Sequence, residues 1–253
     1  MCRPKTERGA LGVRERAHAS DVEKGPGRSF FQQRDSGKLN TAPGARTIQL
    51  WGAGTARTLR PIWVAEELGI RYDLKPIGPR TGETQTPAYT ALNPKQKIPF
   101  LIDGDVRLSE SVAICRYLIA SHPGDSPIWR PHNDLERAKE DEWCCYVYGE
   151  IDETGLYVIR RHQDLRHIYG DAPAAVESAV GYVRRHLDFV ERHLAVDRDY
   201  LMEQGFGLAD LLLTTCLGWA VYCGIELAPA LSRYHERISN RPACQRAMAA
   251  NRF

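Results

Sequence analysis

Several features that would assign a protein class at once are missing from this 253-residue sequence. No apolar run reaches the roughly 18 residues that a membrane-spanning helix needs. The seven cysteines are odd in number and form no C-x-x-C pair, which argues against a disulfide framework or a zinc site and favours a reducing, cytoplasmic location. Gly52 and Gly54 lack the third glycine of a dinucleotide-binding loop, and His162 and His167 would face different sides of a helix, which disfavours a metal site.

Charge is unevenly distributed along the chain. Residues 1–46 carry ten Lys and Arg side chains against five Asp and Glu, whereas residues 47–253 have a small acidic excess. Any argument for nucleic-acid binding therefore rests on the first segment alone. Only six of its residues are Leu, Val or Phe and none is Ile, too few to offset the entropy of ordering, so we expect a disordered extension. The alternative is a targeting or nucleic-acid-binding arm.

Residues 47–121 have the pattern of a small α/β domain. Residues 47–51 alternate apolar and polar side chains as a half-buried strand does, and residues 72–77 offer a second strand. Between them, residues 59–69 have the apolar spacing of a helix. The polar stretch at residues 78–94 is expected to be a connection.

The rest of this domain has the pattern of a hairpin followed by a helix. Two short apolar runs, residues 98–102 and 106–108, flank an Asp-Gly-Asp sequence that is typical of a tight turn. Ser109 stands where it could cap a helix over residues 110–120. The order of elements is therefore βαβ followed by ββα.

The chain then changes to helical patterns only. Three prolines between residues 122 and 131 indicate a linker, which we place at residues 122–133. No convincing strand follows in residues 134–253, and we expect helices over residues 135–163, 174–194, 208–223 and 242–250. The third of these is apolar on most sides, which predicts a buried central helix.

Three sequence motifs point to the same protein family. They lie at residues 93–101 (NPKQKIPFL), 108–114 (LSESVAI) and 205–210 (GFGLAD). They resemble, in turn, the NP-x-G-x-V-P-x-L signature, the γ-glutamyl-binding box and the helical-domain folding motif of the cytosolic glutathione transferase family. The resemblance covers residues 47–250. It implies the fold class α/β plus all-α: a thioredoxin-like βαβ-ββα domain, residues 47–121, followed by an all-helical domain, residues 134–253.

The resemblance also implies where glutathione binds. Pro99 corresponds to a proline that is cis in the family, which leaves the backbone of Ile98, next to Lys97, free to pair with the cysteinyl part of glutathione. Ser111, at the positive end of a helix dipole, would take the γ-glutamyl carboxylate, and Glu110 its ammonium. The alternative is purely structural: Glu110 and Ser111 would belong to a capped first helical turn, and Pro99 would mark the edge of a strand.

The resemblance implies a residue near the first helix that activates the thiol. Counting back from Arg60, which matches a common arginine of the family, Thr55 falls where some classes carry serine, and threonine also donates one O–H. Thr58 is the alternative, and it could equally be a plain helix cap. Arg57 stands where other classes have a redox cysteine, so disulfide exchange is not expected.

The second substrate would contact the helical domain. Cys144, Tyr148 and Asp152 share one helical stripe, which either packs in the core or lines a pocket for the electrophile. Arg160 and Arg161 are expected to be solvated. The resemblance implies a transferase that joins glutathione, as co-substrate, to an apolar electrophile, with no separate cofactor or metal and no nucleic-acid or membrane partner, in a homodimer. A non-catalytic glutathione-binding module, or a glutathione-dependent lyase, isomerase or dehalogenase, is the alternative.

Overall fold

The computed structural model describes residues 47–122, 126–194 and 198–252. The extension predicted at residues 1–46 lies outside the described residues, and the predicted domain boundaries stay predictions. One hydrophobic cluster extends from the sheet, at Leu50, to the helices, at Leu213. Among the described helices, none combines the length and the apolarity needed to cross a membrane.

The first part of the described chain is a mixed four-stranded sheet with helices. Its elements are β1 (Ile48–Trp51), α1 (Ala56–Glu67), β2 (Tyr72–Lys75), α2 (Pro87–Leu92), β3 (Phe100–Asp103), β4 (Val106–Ser109) and α3 (Ser111–Ser121). The strand order is β2-β1-β3-β4, with β1 parallel to β2 and antiparallel to β3. Strands β3 and β4 form the predicted hairpin, in which Leu101 lies opposite Leu108. The predicted thioredoxin-like domain is confirmed.

The connection expected at residues 78–94 is more ordered than the sequence analysis predicted. It contains a short 3-10 helix, Glu83–Gln85, and α2. Thr86 caps α2 by accepting from the N–H of Tyr89, and a proline occupies the first helical position, where its missing N–H has no cost. Tyr89 is buried, and its hydroxyl donates to the carbonyl of Lys97 at 2.7 Å. This helix therefore fixes the segment that enters the predicted glutathione site.

The second part of the described chain is helical throughout. It comprises α4 (Asp134–Tyr146), a π-helical segment (Val147–Leu156), α5 (Tyr157–His162), α6 (Arg166–Tyr169), α7 (Pro173–Leu194), α8 (Leu208–Tyr222), α9 (Pro229–Ser239) and α10 (Pro242–Ala250). Helix α8 is buried on nearly all sides, as predicted. Helix α9 was not predicted, although its buried Leu231, Tyr234 and Ile238 recur at helical spacing.

The helical stretch that the sequence predicted over residues 135–163 is present, but its hydrogen-bonding pattern changes from α-helical to π-helical in the middle. α4, the π-helical segment and α5 follow one another without a break. Gly155 within it lies against α7, because a Cβ at this position would come 2.5 Å from Cγ2 of Val183. Single π turns inside helices often occur at functional sites, and this one carries the fully buried Asp152.

Candidate functional site

A cavity of about 580 Å³ lies between the sheet domain and the helical domain. Its lining includes seven of the nine residues predicted for the site: Thr55, Lys97, Ile98, Pro99, Glu110, Ser111 and Tyr148. The other two, Thr58 and Cys144, are buried elsewhere. Its size is ordinary for a small-ligand pocket.

Thr55 and Thr58 occupy different places at the start of α1. Thr55 is the N-cap: its hydroxyl accepts from the N–H of Thr58 at 3.0 Å, and the Thr58 hydroxyl accepts from the N–H of Thr55 at 3.0 Å. Thr58 is 0% exposed and its hydroxyl lies 2.7 Å from Oδ1 of Asn251. The Thr58 hydroxyl is therefore enclosed by protein groups, whereas Thr55 lines the cavity.

Asn251, just after α10, holds the loop that carries Thr55. Its side-chain amide donates to the carbonyl of Thr55 at 3.0 Å, and its backbone carbonyl accepts from the N–H of Gly54 at 2.9 Å. In the same loop, two residues before Gly54, Gly52 has a φ of +110°. It lies so close to Ile98 that a Cβ on Gly52 would be 2.6 Å from Cβ of Ile98. Glycine is required there because any side chain would push apart two segments of the site.

The Glu110 end of the cavity differs from the sequence prediction in one detail. Ser109 does not cap α3: strand β4 extends through it, and its hydroxyl accepts from Nζ of Lys95 at 3.0 Å. The N-cap is Glu110, with a φ of +73° and no side-chain hydrogen bond to the first turn. The N–H groups of this turn therefore lack a side-chain acceptor and can receive an anion.

Ser111, the first residue of α3, is held from behind by α1. It is almost fully buried, and its hydroxyl accepts from Nη1 of Arg60 at 3.3 Å. On the neighbouring segment, the Ile98–Pro99 peptide is cis. Within the described residues, the N–H of Ile98 donates to no protein group. The cavity thus offers free backbone donors at both points where glutathione is predicted to bind.

An ion network lies behind the part of the cavity wall that Arg57 and Glu153 form. Asp152 is 0% exposed and binds Arg57 and Arg60, each at 2.5 Å; Arg57 also pairs with Glu153. Burial alone would lower the pKa of both arginines, but the charge of Asp152 and its hydrogen bonds raise both above the ordinary value. Both therefore stay protonated and join α1 to the π-helical segment.

Tyr148 and Cys144 do not share the environment that their spacing suggested. Tyr148 lines the cavity, with the Arg57 guanidinium 5.6 Å from its ring centroid. Burial raises the pKa of Tyr148 despite Arg57, so its hydroxyl remains a hydrogen-bond donor at neutral pH. Cys144 is 2% exposed, packs in the core beside Arg116 and lines neither described cavity.

The outer wall of the cavity was missed from the sequence. Arg161 is exposed, as expected, and Arg160 is partly buried; both line the cavity. The Arg160 guanidinium lies 6.0 Å from the ring of Trp219, and that of Arg161 lies 5.4 Å from the ring of Tyr157. Alternating arginine and aromatic residues near the end of a long helix were the available signal, but it does not show which face meets the cavity.

A second cavity of about 830 Å³ adjoins the first. Both are lined by Thr55, Ala56, Arg160 and Trp219. The second has a largely apolar wall that includes Leu59, Trp63, Trp219, Val221, Tyr222 and Met248. A polar, cationic space and a more apolar one therefore meet beside Thr55.

Three buried cysteines, Cys115, Cys144 and Cys216, provide no competing nucleophile. Burial raises the pKa of both Cys115 and Cys216 to about 12 and raises that of Cys144 above its ordinary range. These three thiols stay protonated at neutral pH. Among residues 47–122, 126–194 and 198–252, no group of three or more His, Cys, Asp or Glu side chains is placed to hold a metal ion.

Comparison with known proteins gives one consistent result. Residues 46–120 match the family described as glutathione S-transferase, N-terminal domain, and residues 150–242 match glutathione S-transferase, C-terminal domain. Glutathione S-transferase 3 of Zea mays is 30% identical over 212 residues, which are 80% of this chain and 94% of that protein.

Two further matches differ in their printed descriptions. Elongation factor 1-gamma 1 of Oryza sativa subsp. japonica is 28% identical over 204 residues, 77% of this chain and 46% of that protein. The solved structure of Ure2p in complex with glutathione has a TM-score of 0.72 at 20% identity and covers 80% of this chain and 98% of that one. The last match concerns the fold alone.

Proposed function

Because the chain belongs to the glutathione S-transferase family, we propose that it activates the thiol of glutathione for attack on an electrophile with an apolar body. The observation that carries this proposal is the position of Thr55. It lines both cavities, so a thiol bound beside it would face glutathione's own site on one side and an apolar space on the other.

Glutathione would bind along the sheet domain. Its γ-glutamyl carboxylate would take the first-turn N–H groups of α3 and the Ser111 hydroxyl, and Glu110 would receive its ammonium. The backbone of Ile98 would pair with the cysteinyl residue. Because Gly52 keeps the Thr55 loop against Ile98, a cysteinyl group held there would have its sulfur directed toward Thr55.

Thr55 would act by donating its hydroxyl hydrogen to the sulfur. The Thr55 hydroxyl lies 3.0 Å from the Thr58 hydroxyl, and either oxygen can be the donor. When Thr58 donates in this contact, the hydrogen of Thr55 is free to turn to a ligand. A thiol with a pKa of about 8.5 is only about 3% ionised at pH 7, and lowering the pKa by about 2 units gives about 75% thiolate. Thiolate nucleophilicity falls as the pKa falls, so positioning the electrophile supplies most of the acceleration.

The electrophile would lie between the sulfur and the helical wall. Its apolar body would contact Trp219, where the two cavities meet, and Tyr148 could donate a hydrogen bond to developing negative charge. Sulfur forms a bond to the electrophilic carbon, the leaving group departs with its electron pair, and the thiol proton passes to solvent. Glutathione is the co-substrate in this scheme, and we propose a cytoplasmic homodimer.

The test is the ionisation of bound glutathione. Thiolate absorbance is measured against pH for the wild type, Thr55→Val, Thr55→Ser and Thr58→Val, together with turnover of 1-chloro-2,4-dinitrobenzene. Thr55→Val should raise the bound-thiol pKa by about 1–2 units, because about 1.4 kcal/mol of differential stabilisation is lost per unit. Thr55→Ser should restore it. If only Thr58→Val moves the titration, Thr55 is the wrong residue.

A glutathione-binding module without transferase activity is the second candidate. The similarity to a protein named elongation factor 1-gamma 1, whose name is not that of a transferase, favours this candidate. This candidate predicts retention on immobilised glutathione with an unshifted thiol pKa and no turnover. A lowered thiol pKa in the wild type would rule it out.

A further inference from the structure

Two arginines from opposite sides of the cavity meet the same two tyrosines. Arg80, in the loop after β2, donates from Nη2 to the hydroxyls of Tyr157 at 3.1 Å and Tyr169 at 3.3 Å. The guanidinium of Arg161, in α5, lies 5.4 Å from the ring of Tyr157 and 4.9 Å from that of Tyr169. All four residues line the cavity.

Among the described residues, these two guanidiniums have no carboxylate partner. Within the described ranges, neither Arg80 nor Arg161 forms an ion pair, whereas Arg57 on the same cavity has Asp152 and Glu153. The hydrogen bond from Arg80, together with its charge, lowers the pKa of Tyr169, which is the direction that a local excess of positive charge produces.

The backbone of Arg80 supports a specific role for its side chain. Its φ is +63°, a left-handed conformation that costs energy for a residue with a Cβ and that glycine would adopt freely. Such outliers cluster at binding sites, where the surrounding structure holds them. Here the unfavourable backbone directs a guanidinium across the cavity to α5 and α6.

Glutathione does not need this pair. In the proposed binding mode its γ-glutamyl carboxylate is at Ser111, and Lys97, beside Ile98, is the cation nearest in sequence to the bound peptide. Lys97 lines the cavity and has no ion pair among the described residues, so it is available to the glycine carboxylate. Both guanidiniums, of Arg80 and Arg161, are exposed at the mouth of the cavity, so an anionic group that enters from solvent can reach them.

We propose that Arg80 and Arg161 form a carboxylate subsite, so that the preferred electrophile has an apolar reacting body and a carboxylate at its far end. Two guanidinium forks can each present paired N–H donors to a carboxylate. The subsite rests on the proposed function, since it selects among electrophiles for the same thiol. The hydroxyls of Tyr157 and Tyr169 accept from Arg80, and their rings contact Arg161, so the two tyrosines position both guanidiniums.

The test uses two electrophiles of the same shape, one charged and one neutral, and compares their ratio between wild type and variants so that their intrinsic reactivities cancel. 4-Chloro-3-nitrobenzoate carries a carboxylate, and 4-chloro-3-nitrobenzamide carries a neutral amide on the same ring. In both, the glutathione sulfur bonds to the carbon that loses chloride, chloride leaves with the electron pair, and the thiol proton goes to solvent. The measured quantity is the ratio of kcat/KM for the benzoate to that for the benzamide.

The variants are Arg161→Gln, Arg80→Gln and, as the matched control, Arg184→Gln, an exposed arginine of α7 outside both described cavities. Each cavity variant should lower the benzoate-to-benzamide ratio roughly tenfold, through KM of the benzoate, as expected for a hydrogen bond to a charged group. Arg184→Gln should leave the ratio unchanged. An equal loss for both electrophiles, or no loss for either, overturns the subsite.

Two further measurements separate the possible failures. Each assay is repeated with the glycine ethyl ester of glutathione: if the variants raise KM for glutathione but not for its ester, the pair binds the glycine carboxylate and the proposal is wrong. The carboxylate-bearing and amide-bearing glutathione conjugates are also titrated directly. If the wild type binds the carboxylate conjugate more tightly and Arg161→Gln loses this preference, the subsite is supported whether or not the enzyme turns over. Absence of turnover would contradict the proposed transferase function and not the subsite.

Discussion

The two walls of the main cavity are built in different ways. On the sheet side, a local motif begins the site, since Thr55 and Thr58, three residues apart, cap each other, and Asn251 supports them from far along the chain. On the helical side the key contact joins Arg57 to Asp152, 95 residues away. The first wall therefore has a local motif at its centre, whereas the second has none and forms only when distant parts of the chain meet.

The largest expected effect comes from breaking the contact between the walls. Asp152→Asn would leave Arg57 and the fully buried Arg60 without their shared carboxylate. Removing one partner of a buried ion pair typically costs about 3–5 kcal/mol. Unfolding in urea should report a loss of this size in the free energy of unfolding.

Glu153→Gln is the matched control for that change. Glu153 pairs with the same Arg57 but is exposed, and surface ion pairs contribute about 0–1 kcal/mol. Equal losses in the two variants would show that burial of the network does not matter.

The next effect sharpens the role of the sheet-side wall. Glu110→Ala should weaken glutathione binding by about 1.5–3 kcal/mol, the range for a hydrogen bond to a charged group. Isothermal titration and retention on immobilised glutathione measure it. Glu177→Ala, an exposed glutamate of α7, makes the same change of charge and should have no effect. Unchanged affinity in Glu110→Ala would remove Glu110 from the site.

A smaller effect is expected where the helical domain supports the sheet-side loop. Asn251→Leu removes a donor to the Thr55 carbonyl and an acceptor for the Thr58 hydroxyl. The bound-thiol pKa should rise by less than about 1 unit, because the Thr55 hydroxyl itself remains. Thiolate titration measures it, and a rise larger than that in Thr55→Val would make Asn251 the more direct group.

Removing residues 1–46 should have the smallest effect. Both walls begin after this segment, and its sparse apolar content predicts no contribution to a core. The free energy of unfolding should change by less than about 0.5 kcal/mol, and turnover should stay the same. A large loss in either measurement would mean that the segment docks on the rest of the chain.

The same contrast explains what could be predicted from the sequence. The strands, α1, the hairpin and the buried α8 follow from local periodicity, and Thr55 and Ser111 follow from motif spacing. Helices α2 and α9 were not predicted, although both have local signals in the sequence. Helix α2 begins with a threonine cap and a proline, and α9 has an apolar stripe. No local pattern specifies the Asp152 network or the pairing of Arg80 with Arg161, because each depends on contacts between residues far apart in sequence.

The contact from Asn251 also determines when the Thr55 loop can reach its final conformation during synthesis of the chain. Asn251 supports Thr55 from 196 residues further along the chain. Ribosomes add about 5–20 residues per second, so the loop that carries Thr55 waits roughly 10–40 s for this partner after it has been synthesised. A nascent sheet domain can fold during that interval, but the loop that carries Thr55 acquires its final shape only when α10 and Asn251 have left the ribosome.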